Sequence, residues 1–319
     1  GGYAANLNPD DLNEVIFMDS ETYALKADLD ADLSQPAWQP GPICLGFGGV
    51  GGFWENGAGG VLIRAADGAS PIIDFSGLPA DAWGTHSCFH IYQNKINQPI
   101  IFKGLNFKNT TPYGGTGGGY SEAVVRSAPS GGPVPIFEDC TFDVMHTIMA
   151  YSGWSGDPVC SPQPEFKRCA FRMIENASLD RRNLVVVFNT TAPIAGTFEW
   201  TQCTFIGDSS RDWSICWGNT NHPPYHFDHC IFYNISSVLR YDWPALYNDN
   251  CDWPAVVNKI SGTGNITQDP LLASPSDSFL LRQDSPCIRS GDLNIGYDQT
   301  TKNNAPTATP TRTPGIPTP

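Results

Sequence analysis

The sequence predicts an all-β solenoid, in which short parallel strands stack along one axis. The first observation is a phrase of the form aromatic-x-x-Cys-x-Phe, which occurs four times between residues 137 and 232. The second is a fifth copy upstream, in which Leu105 replaces the cysteine. The third is the spacing, because the Leu/Cys positions follow one another at intervals of 35, 29, 34 and 27 residues. A constant phrase joined by loops of variable length is typical of a solenoid.

Within each copy, the cysteine and the second Phe are two residues apart and share one face of a strand, whereas the first aromatic residue needs a bend to join them. The repeated pattern therefore predicts three buried rows of side chains: an aromatic row, a Leu/Cys row and a Phe row. The last two rows consist of Leu105, Cys140, Cys169, Cys203 and Cys230, and of Phe142, Phe171, Phe205 and Phe232. Thr141, between Cys140 and Phe142, is expected to point outward, where its replacement by Ala costs little. A sandwich of antiparallel strands also alternates, but it has no reason to repeat the same three residue types.

Composition limits the function classes. A stack grows by adding rungs, so 319 residues can form one elongated domain. With 18 basic and 32 acidic residues, the net charge of −14 argues against nucleic acid or an anionic membrane surface as partner. Ten cysteines without a CxxC pair favour an oxidising compartment over a zinc site. No apolar run reaches the roughly 18 residues of a membrane helix. We interpret the start at Gly1 as a mature product whose signal peptide has been removed, and expect a secreted or cell-surface protein.

The first part of the chain contains a candidate cap and a candidate calcium site. Residues 1–20 are expected to form an N-terminal arm or cap, in which Asn8-Pro9-Asp10 can begin a short helix that covers the first rung. Asp28, Asp30 and Asp32 alternate with apolar residues, which puts three carboxylates on one strand face. They could hold Ca²⁺ or form a solvated acidic face. The glycine-rich residues 45–60 lack the Gly-Lys-Ser/Thr ending of a phosphate-binding loop and fit turns better.

Residues 61–77 predict two short apolar strands joined by a turn, and 88–92 and 100–107 follow as further strands. Together with the repeated phrase, these segments resemble the secreted right-handed parallel β-helix proteins of the pectate-lyase-like superfamily. Residues 269–296 are similar to the terminal-rung phrase of bacterial members, with departures at Cys287, where a small residue is usual, and at Arg289, where an acid is common. The resemblance covers roughly residues 20–298, and we expect the β-helix over 21–298. It implies a fold and leaves function open, since lyases, hydrolases, esterases, adhesins and structural proteins share this coil.

The composition changes after Asp298, and residues 299–319 are expected to form a Thr/Pro-rich linker or stalk. Residues 305–319 contain five Pro and five Thr, which is typical of a polyproline-II spacer or an O-glycosylated segment. The candidate O-glycosylation sites are Thr307, Thr309, Thr311 and Thr313.

The superfamily's enzymes act on acidic polysaccharides, and the resemblance implies recognisable catalytic phrases. The Asp-Asp, Gly-His-Gly and Arg-x-Lys phrases of galacturonan hydrolases do not occur between residues 137 and 232, and no Arg-x-x-Arg phrase of the lyases accompanies an acidic cluster. His226 and His229 flank a bend, and we interpret them as surface histidines rather than metal ligands. A Ser-His-Asp triad stays open, although the sequence has no Gly-x-Ser-x-Gly phrase. We therefore assign no catalytic residue.

Aromatic residues near Asp or Asn form a candidate carbohydrate surface, because such rings stack on sugar faces. They are Trp213, Trp217, Tyr241, Trp243 and Trp253. The alternative is that these rings pack long loops over the coil.

Five Asn-x-Ser/Thr phrases are candidate N-glycosylation sites. They begin at Asn109, Asn176, Asn189, Asn234 and Asn265. In a source without N-glycosylation they indicate turns. For the cysteines, we expect the four ladder thiols to stay mostly reduced, and Cys44 to pair with Cys88 and Cys251 with Cys287.

The sequence thus predicts an extracellular structural or adhesive surface protein, a subunit of a glycosylated fibre assembled head to tail. The alternatives are a polysaccharide-active lyase or hydrolase of the same fold, and a non-catalytic carbohydrate-binding module. The expected partners are further copies of the chain and carbohydrate, without nucleic acid or membrane insertion. No cofactor is expected other than Ca²⁺.

Overall fold

The computed structural model describes residues 13–24, 43–45, 61–74, 76, 86–92, 100–109, 122–128, 135–144, 149–152, 165–173, 183–189, 197–207, 214–218, 225–235, 237–239, 246–249, 265–276, 278–288 and 296–297. In this part of the chain the regular elements are all β-strands. All strand pairs of the sheets are parallel, as in the predicted stack.

The strands form three sheets, which the chain visits in strict rotation. Sheet 1 has eight strands, in the order β1 (Asn13–Phe17), β4 (Val61–Ala65), β7 (Ile100–Lys103), β10 (Pro135–Glu138), β13 (Glu165–Lys167), β16 (Phe198–Thr201), β19 (Tyr225–Asp228) and β22 (Leu246–Asp249). Sheet 2 has seven, β2 (Thr22–Ala24), β5 (Ile72–Asp74), β8 (Asn106–Asn109), β11 (Thr141–Val144), β14 (Ala170–Met173), β17 (Thr204–Ile206) and β20 (Ile231–Tyr233). Sheet 3 also has seven, β3 (Ile43–Leu45), β6 (His86–Tyr92), β9 (Glu122–Ala128), β12 (Met149–Ser152), β15 (Asn183–Asn189), β18 (Ser214–Gly218) and β21 (Ser237–Leu239). We call three successive strands, one in each sheet, a rung; the arrangement is consistent with the expected parallel β-helix.

Aromatic side chains fill the inside of the stack in two columns. The column of sheet 1 is Phe102, Phe137, Phe166, Trp200 and Phe227, in register and 0% exposed, with neighbouring ring centroids 4.3–5.7 Å apart. The column of sheet 2 is Phe107, Phe142, Phe171, Phe205 and Phe232, with neighbouring centroids 4.9–5.2 Å apart. Edge-to-face contacts at 5.3–6.3 Å join the two columns within each rung. Such ring pairs contribute about 0.5–1.5 kcal/mol each beyond the area they bury.

The bend inside each repeat is a single residue in the left-handed region. This residue precedes the Leu or Cys position and is Gly104, Asp139, Arg168, Gln202 or His229, with φ between 51° and 71°. The bend keeps the backbone ladder intact, because its N–H bonds to the next rung, as from Arg168 N to Thr201 O at 2.8 Å. Two residues later the chain bonds to the preceding rung, as from Ala170 N to Cys140 O at 3.0 Å. These hydrogen bonds offset the roughly 1 kcal/mol that a non-glycine residue loses there.

The predicted Leu/Cys row lies just after the bends and faces inward. Leu105, Cys140, Cys169, Cys203 and Cys230 are all 0% exposed. Each cysteine is a thiol whose S–H donates to a backbone carbonyl of the preceding rung, as from Cys140 Sγ to Phe102 O at 3.5 Å. Burial, together with hydrogen bonds to the neighbouring thiols, raises the pKa of Cys169 well above its ordinary value.

The surroundings of Thr141 revise the low cost that was expected for its replacement by Ala. Its side chain points outward from sheet 2, but it is only 7% exposed and its hydroxyl donates to Asn106 Oδ1 at 2.6 Å. On the following strands Ala170, Thr204 and Ile231 occupy the same outward row and are 0% exposed. The outer face of sheet 2 is therefore covered over β14, β17 and β20.

The cover is the C-terminal segment, which was expected to form a terminal rung. Its described residues belong to no sheet, and their bridge, Leu272 to Leu281, is antiparallel and internal to the segment. Leu272, Phe279 and Tyr297 instead pack on Ala170 and Ile206. The outward rows of sheet 2 become apolar at its C-terminal end, so an apolar segment covers them there rather than adding another strand.

Cys287 corrects a second expectation. It is a thiol, 0% exposed and packed near Ile231, so the pairing with Cys251 is not formed. For Cys44 and Cys88 the structure describes only the backbone of β3 and β6, and the predicted pairing of these two side chains lies outside the described residues.

At the other end, residues 13–17 of the predicted arm form β1, which pairs in register with β4. The predicted cap helix at 8–12 lies outside the described residues. The same is true of the Thr/Pro-rich tail, 299–319.

Candidate functional site: the outer face of sheet 1 and its first edge

Charged side chains of opposite sign alternate along the outer face of sheet 1 and the adjoining bends. Lys103 Nζ lies 3.3 Å from Glu138 Oε2 on the next strand. Arg168 forms a two-point contact with Asp139, with distances of 2.7 Å from Nε to Oδ1 and 3.1 Å from Nη2 to Oδ2. The hydrogen bond to Asp139 raises the pKa of Arg168, so the guanidinium stays charged. These contacts join consecutive rungs and neutralise the face locally, which is a structural role.

Two histidine-carboxylate pairs lie toward the C-terminal end of the same face. His226 Nδ1 is 2.7 Å from Glu199 Oε2 on the neighbouring strand, and His229 Nδ1 is 2.8 Å from Asp228 Oδ1. Such a carboxylate can orient an imidazole so that Nε2 accepts a proton. The side chains of His226 and His229 are 29% and 13% exposed, so the ring predicted to lie at the surface at 229 is mostly covered.

In the described part of the chain, no group of three His, Cys, Asp or Glu side chains converges to form a metal site. The predicted calcium ligands Asp28, Asp30 and Asp32 lie outside it, so that site stays a prediction.

The first edge of sheet 1 carries apolar side chains in an unusual setting. Val15 lies in register with Ile63 and Phe102, in the column that is buried on the later strands, yet it is 45% exposed. Ile16 and Met18 are 37% and 72% exposed. The edge of β1 that faces away from β4 has no strand partner among the described residues. An unpaired edge with exposed apolar residues is a surface on which another strand can pair.

At the opposite end of the stack the apolar side chains are buried. Tyr225, Phe227 and Phe232 of the seventh rung are 0% exposed, and β22 adds an eighth strand to sheet 1. The apolar interior is therefore covered at this end, while β22 is the last described strand of its sheet.

The candidate carbohydrate-binding rings stay predictions. Of these rings, the structure describes only the backbone of Trp217, on β18 in register with Val187. Trp213, Tyr241, Trp243 and Trp253 lie outside the described residues.

Two candidate N-glycosylation sites have described side chains. Asn234 follows β20 with φ of 53° and is half-buried, and Asn265 is half-buried at the start of the C-terminal segment. Asn109 and Asn189 end β8 and β15. Asn176 and the four threonines of the tail lie outside the described residues.

The sequence predicted a bend inside each repeat, but neither its left-handed conformation nor the covered outer face of sheet 2 was predicted. The position before each Leu/Cys was a signal for the bends, since a turn has to lie there. For the covered face, the signal was the residue after each cysteine, which changes from Thr141 to Ala170, Thr204 and Ile231 along the chain.

Comparisons of the chain with models of protein families, with curated proteins and with solved structures found no match. Among the described residues no helix is long and apolar enough to cross a membrane.

Proposed function

We propose that this protein is an extracellular structural subunit, a right-handed parallel β-helix that associates head to tail into a glycosylated fibre. Strict rotation of the chain through three parallel sheets supports the helix, and the hand follows the usual hand of parallel crossovers. The net charge of −14 supports a solvated, extracellular setting. The Thr/Pro-rich tail serves as a tether in this proposal.

The exposed edge of β1 is the observation that carries the proposal. A soluble monomer usually protects such an edge with charges, proline or a bulge. Here Glu14 pairs with Arg64 on the neighbouring strand, and Val15 and Ile16 remain exposed beside it. A strand from a second copy would cover these side chains and satisfy the edge.

The partner strand in this proposal is β22 of another copy. Parallel pairing of β22 with β1 would continue the register of sheet 1, so that Val15 follows Asn248 in the column that contains Phe227. Because the two ends of the stack are different surfaces, the contact is heterologous and does not close, which yields a filament.

The test compares two lysine substitutions at similarly exposed apolar positions. Val15→Lys places a charge at the proposed junction, and Leu280→Lys, at a position 38% exposed on the C-terminal segment, is the matched control. We expect the unmodified chain and Leu280→Lys to form species whose mass increases with concentration in sedimentation velocity. Val15→Lys should remain a monomer with unchanged circular dichroism. A monodisperse monomer of the unmodified chain at high concentration would refute the fibre, and assembly of Val15→Lys would refute this junction.

A polysaccharide-active enzyme is the second candidate, supported by the Glu199–His226 pair. The carboxylate would orient the ring and Nε2 would act as a base toward a substrate on sheet 1. Cleavage of an acidic polysaccharide that Glu199→Gln abolishes, with Lys108→Gln as a control at an exposed site on sheet 2, would establish this activity. Carbohydrate binding without cleavage that depends on Trp243 would support the binding module.

A further inference from the structure

The C-terminal segment forms a second layer on the outer face of sheet 2. We call its described residues, 265–276, 278–288 and 296–297, the strap. Leu272 and Phe279 of the strap are 7% and 5% exposed, and they cover Ala170 and Ile206 of the sheet. In sequence the strap lies between β22, the last described strand, and the Thr/Pro-rich tail, so any force on the tail reaches the strap before it reaches a described rung.

One arginine joins the strap to the sheet through three different contacts. Arg172 forms a two-point contact with Asp143 on the neighbouring strand, at 2.6 and 2.9 Å. Its Nη1 donates to the carbonyl of Pro275 at 3.0 Å, and its guanidinium lies 4.8 Å from the centre of the Phe279 ring. A planar cation suits this combination of a carboxylate, a carbonyl and a ring face.

A glycine allows the end of the strap to approach the backbone of the stack. Gly296 N donates to His229 O at 2.6 Å, and Tyr297 N donates to Thr204 Oγ1 at 2.8 Å. A Cβ at residue 296 would lie 2.4 Å from Ile231 Cδ1 and 2.6 Å from Thr204 Oγ1, and φ there is +84°. Any side chain at this position would therefore push the strap away from β17 and β20.

The strap is built to separate from the stack without breaking a sheet. Its own backbone bonds include Ala273 N to Leu280 O at 2.8 Å and Arg282 N to Leu271 O at 2.9 Å. Its described contacts with sheet 2 are mainly side-chain packing, and no described strap residue belongs to a strand of that sheet. A segment that shares few backbone hydrogen bonds with the sheet it covers has a lower free energy of local opening than the strands of that sheet.

We propose that the strap anchors the C-terminal tail to the side of the stack and releases from sheet 2 as a unit before the rungs unfold. The inference rests on the proposed role of the tail as a tether, but not on filament formation. Under load the strap gives up its packing on β14, β17 and β20, while the aromatic columns and the parallel ladders stay intact.

The cysteines provide separate reporters for the strap and for the stack. Cys287 belongs to the strap and is buried against Ile231 of sheet 2, whereas Cys140, Cys169, Cys203 and Cys230 are buried inside the rungs. The assay is a timed reaction of the native full chain with N-ethylmaleimide, followed by peptide mapping. Carrying it out in the Val15→Lys background keeps the protein monomeric, so the result does not depend on the proposed fibre.

Two substitutions in the strap are compared with a control, and the control is matched to the glycine substitution. Gly296→Ala introduces the clash described above, and Phe279→Ala removes the ring that packs on Arg172. Gly68→Ala is the control, because Gly68 has φ of +77° but nothing within 4 Å of its Cβ position. We expect both strap variants to raise the labelling rate of Cys287 about tenfold or more while the four ladder cysteines stay unlabelled. Gly68→Ala should leave Cys287 protected.

Joint labelling of Cys287 and the ladder cysteines in the strap variants would overturn the proposal, because the strap and the rungs would then open together. Unchanged protection of Cys287 in both strap variants would also overturn it.

The anchoring is tested by pulling the full chain by its two termini in a single-molecule force experiment. A first extension of at most about 110 Å, the full contour length of residues 265–297 at roughly 3.4 Å each, should precede rung unfolding and occur at lower force in Gly296→Ala than in Gly68→Ala. A first event that involves the rungs, or equal forces in the two variants, contradicts the anchor.

Discussion

Replacement of Phe171 by alanine tests the stacked interior most directly. The Phe171 ring is 0% exposed and lies 5.0 Å from the Phe142 ring and 4.9 Å from the Phe205 ring, both nearly parallel to it. It also makes edge contacts with Phe166 at 5.6 Å and with Trp200 at 5.9 Å. The substitution removes one ring from the middle of a column that is occupied on both sides.

The expected loss of stability follows from the inability of the site to collapse. Truncation of a buried Phe to Ala costs about 3–5 kcal/mol, and the cost rises with the volume of the remaining cavity. The strands above and below hold their rings at a fixed spacing through parallel ladders, so neither ring can move in to fill the space. We therefore expect about 4–5 kcal/mol, in the upper half of that range.

The assay is urea unfolding of the full chain, followed by circular dichroism and by tryptophan fluorescence. Lys108→Ala is the control, since Lys108 is exposed on the same sheet and its loss should change the free energy of unfolding by less than about 0.5 kcal/mol. A midpoint for Phe171→Ala that matches the midpoint for Lys108→Ala, with an unchanged slope, would mean that Phe171 does not face the interior.

The other two predictions concern a hydroxyl and a thiol. Thr141→Ala should cost about 1–2 kcal/mol in the same urea assay, because the half-buried Asn106 Oδ1 loses its donor at a site that is 7% exposed; a change under about 0.3 kcal/mol would contradict a stabilising role of this hydrogen bond. Stability should also fall as pH rises past about 9, the ordinary pKa of the thiol, because Cys169 ionises in the unfolded chain while burial raises its pKa in the folded chain. Below that pH the contribution of the Cys169 thiol to the free energy of unfolding is fully present. Above it, the free energy of unfolding falls by about 1.4 kcal/mol per pH unit until the pKa of the folded chain is reached. Urea midpoints at about pH 7 and pH 10 measure the effect, and Cys169→Ala should reduce it; an equal pH dependence in this variant would refute the assignment.

Much of the interior could be predicted from short-range pattern alone. Residues two apart on a strand face the same way, so the spacing of Cys169 and Phe171 placed both inside before any contact was known. The same spacing required a bend between Phe166 and Cys169, and Arg168 is the residue that makes it. The identity of the bend residues was harder to predict, because Asp and His are enriched in the left-handed region whereas Arg and Gln are not, so the four share no common propensity.

The repeated phrase by itself determined that like side chains stack inside successive rungs, because this depends on strand geometry and on the return of the chain at intervals of about 30 residues. Only the tertiary structure decided which outward positions are buried. Thr204 and Asn106 occupy the same outward row of sheet 2 with similar polarity, yet Thr204 is 0% exposed and Asn106 is half-buried. The difference comes from the strap, whose residues 265–297 lie at least 60 residues farther along the chain than Thr204. Burial of an outer face depends on which distant segment packs there, and no local period in the sequence encodes that choice.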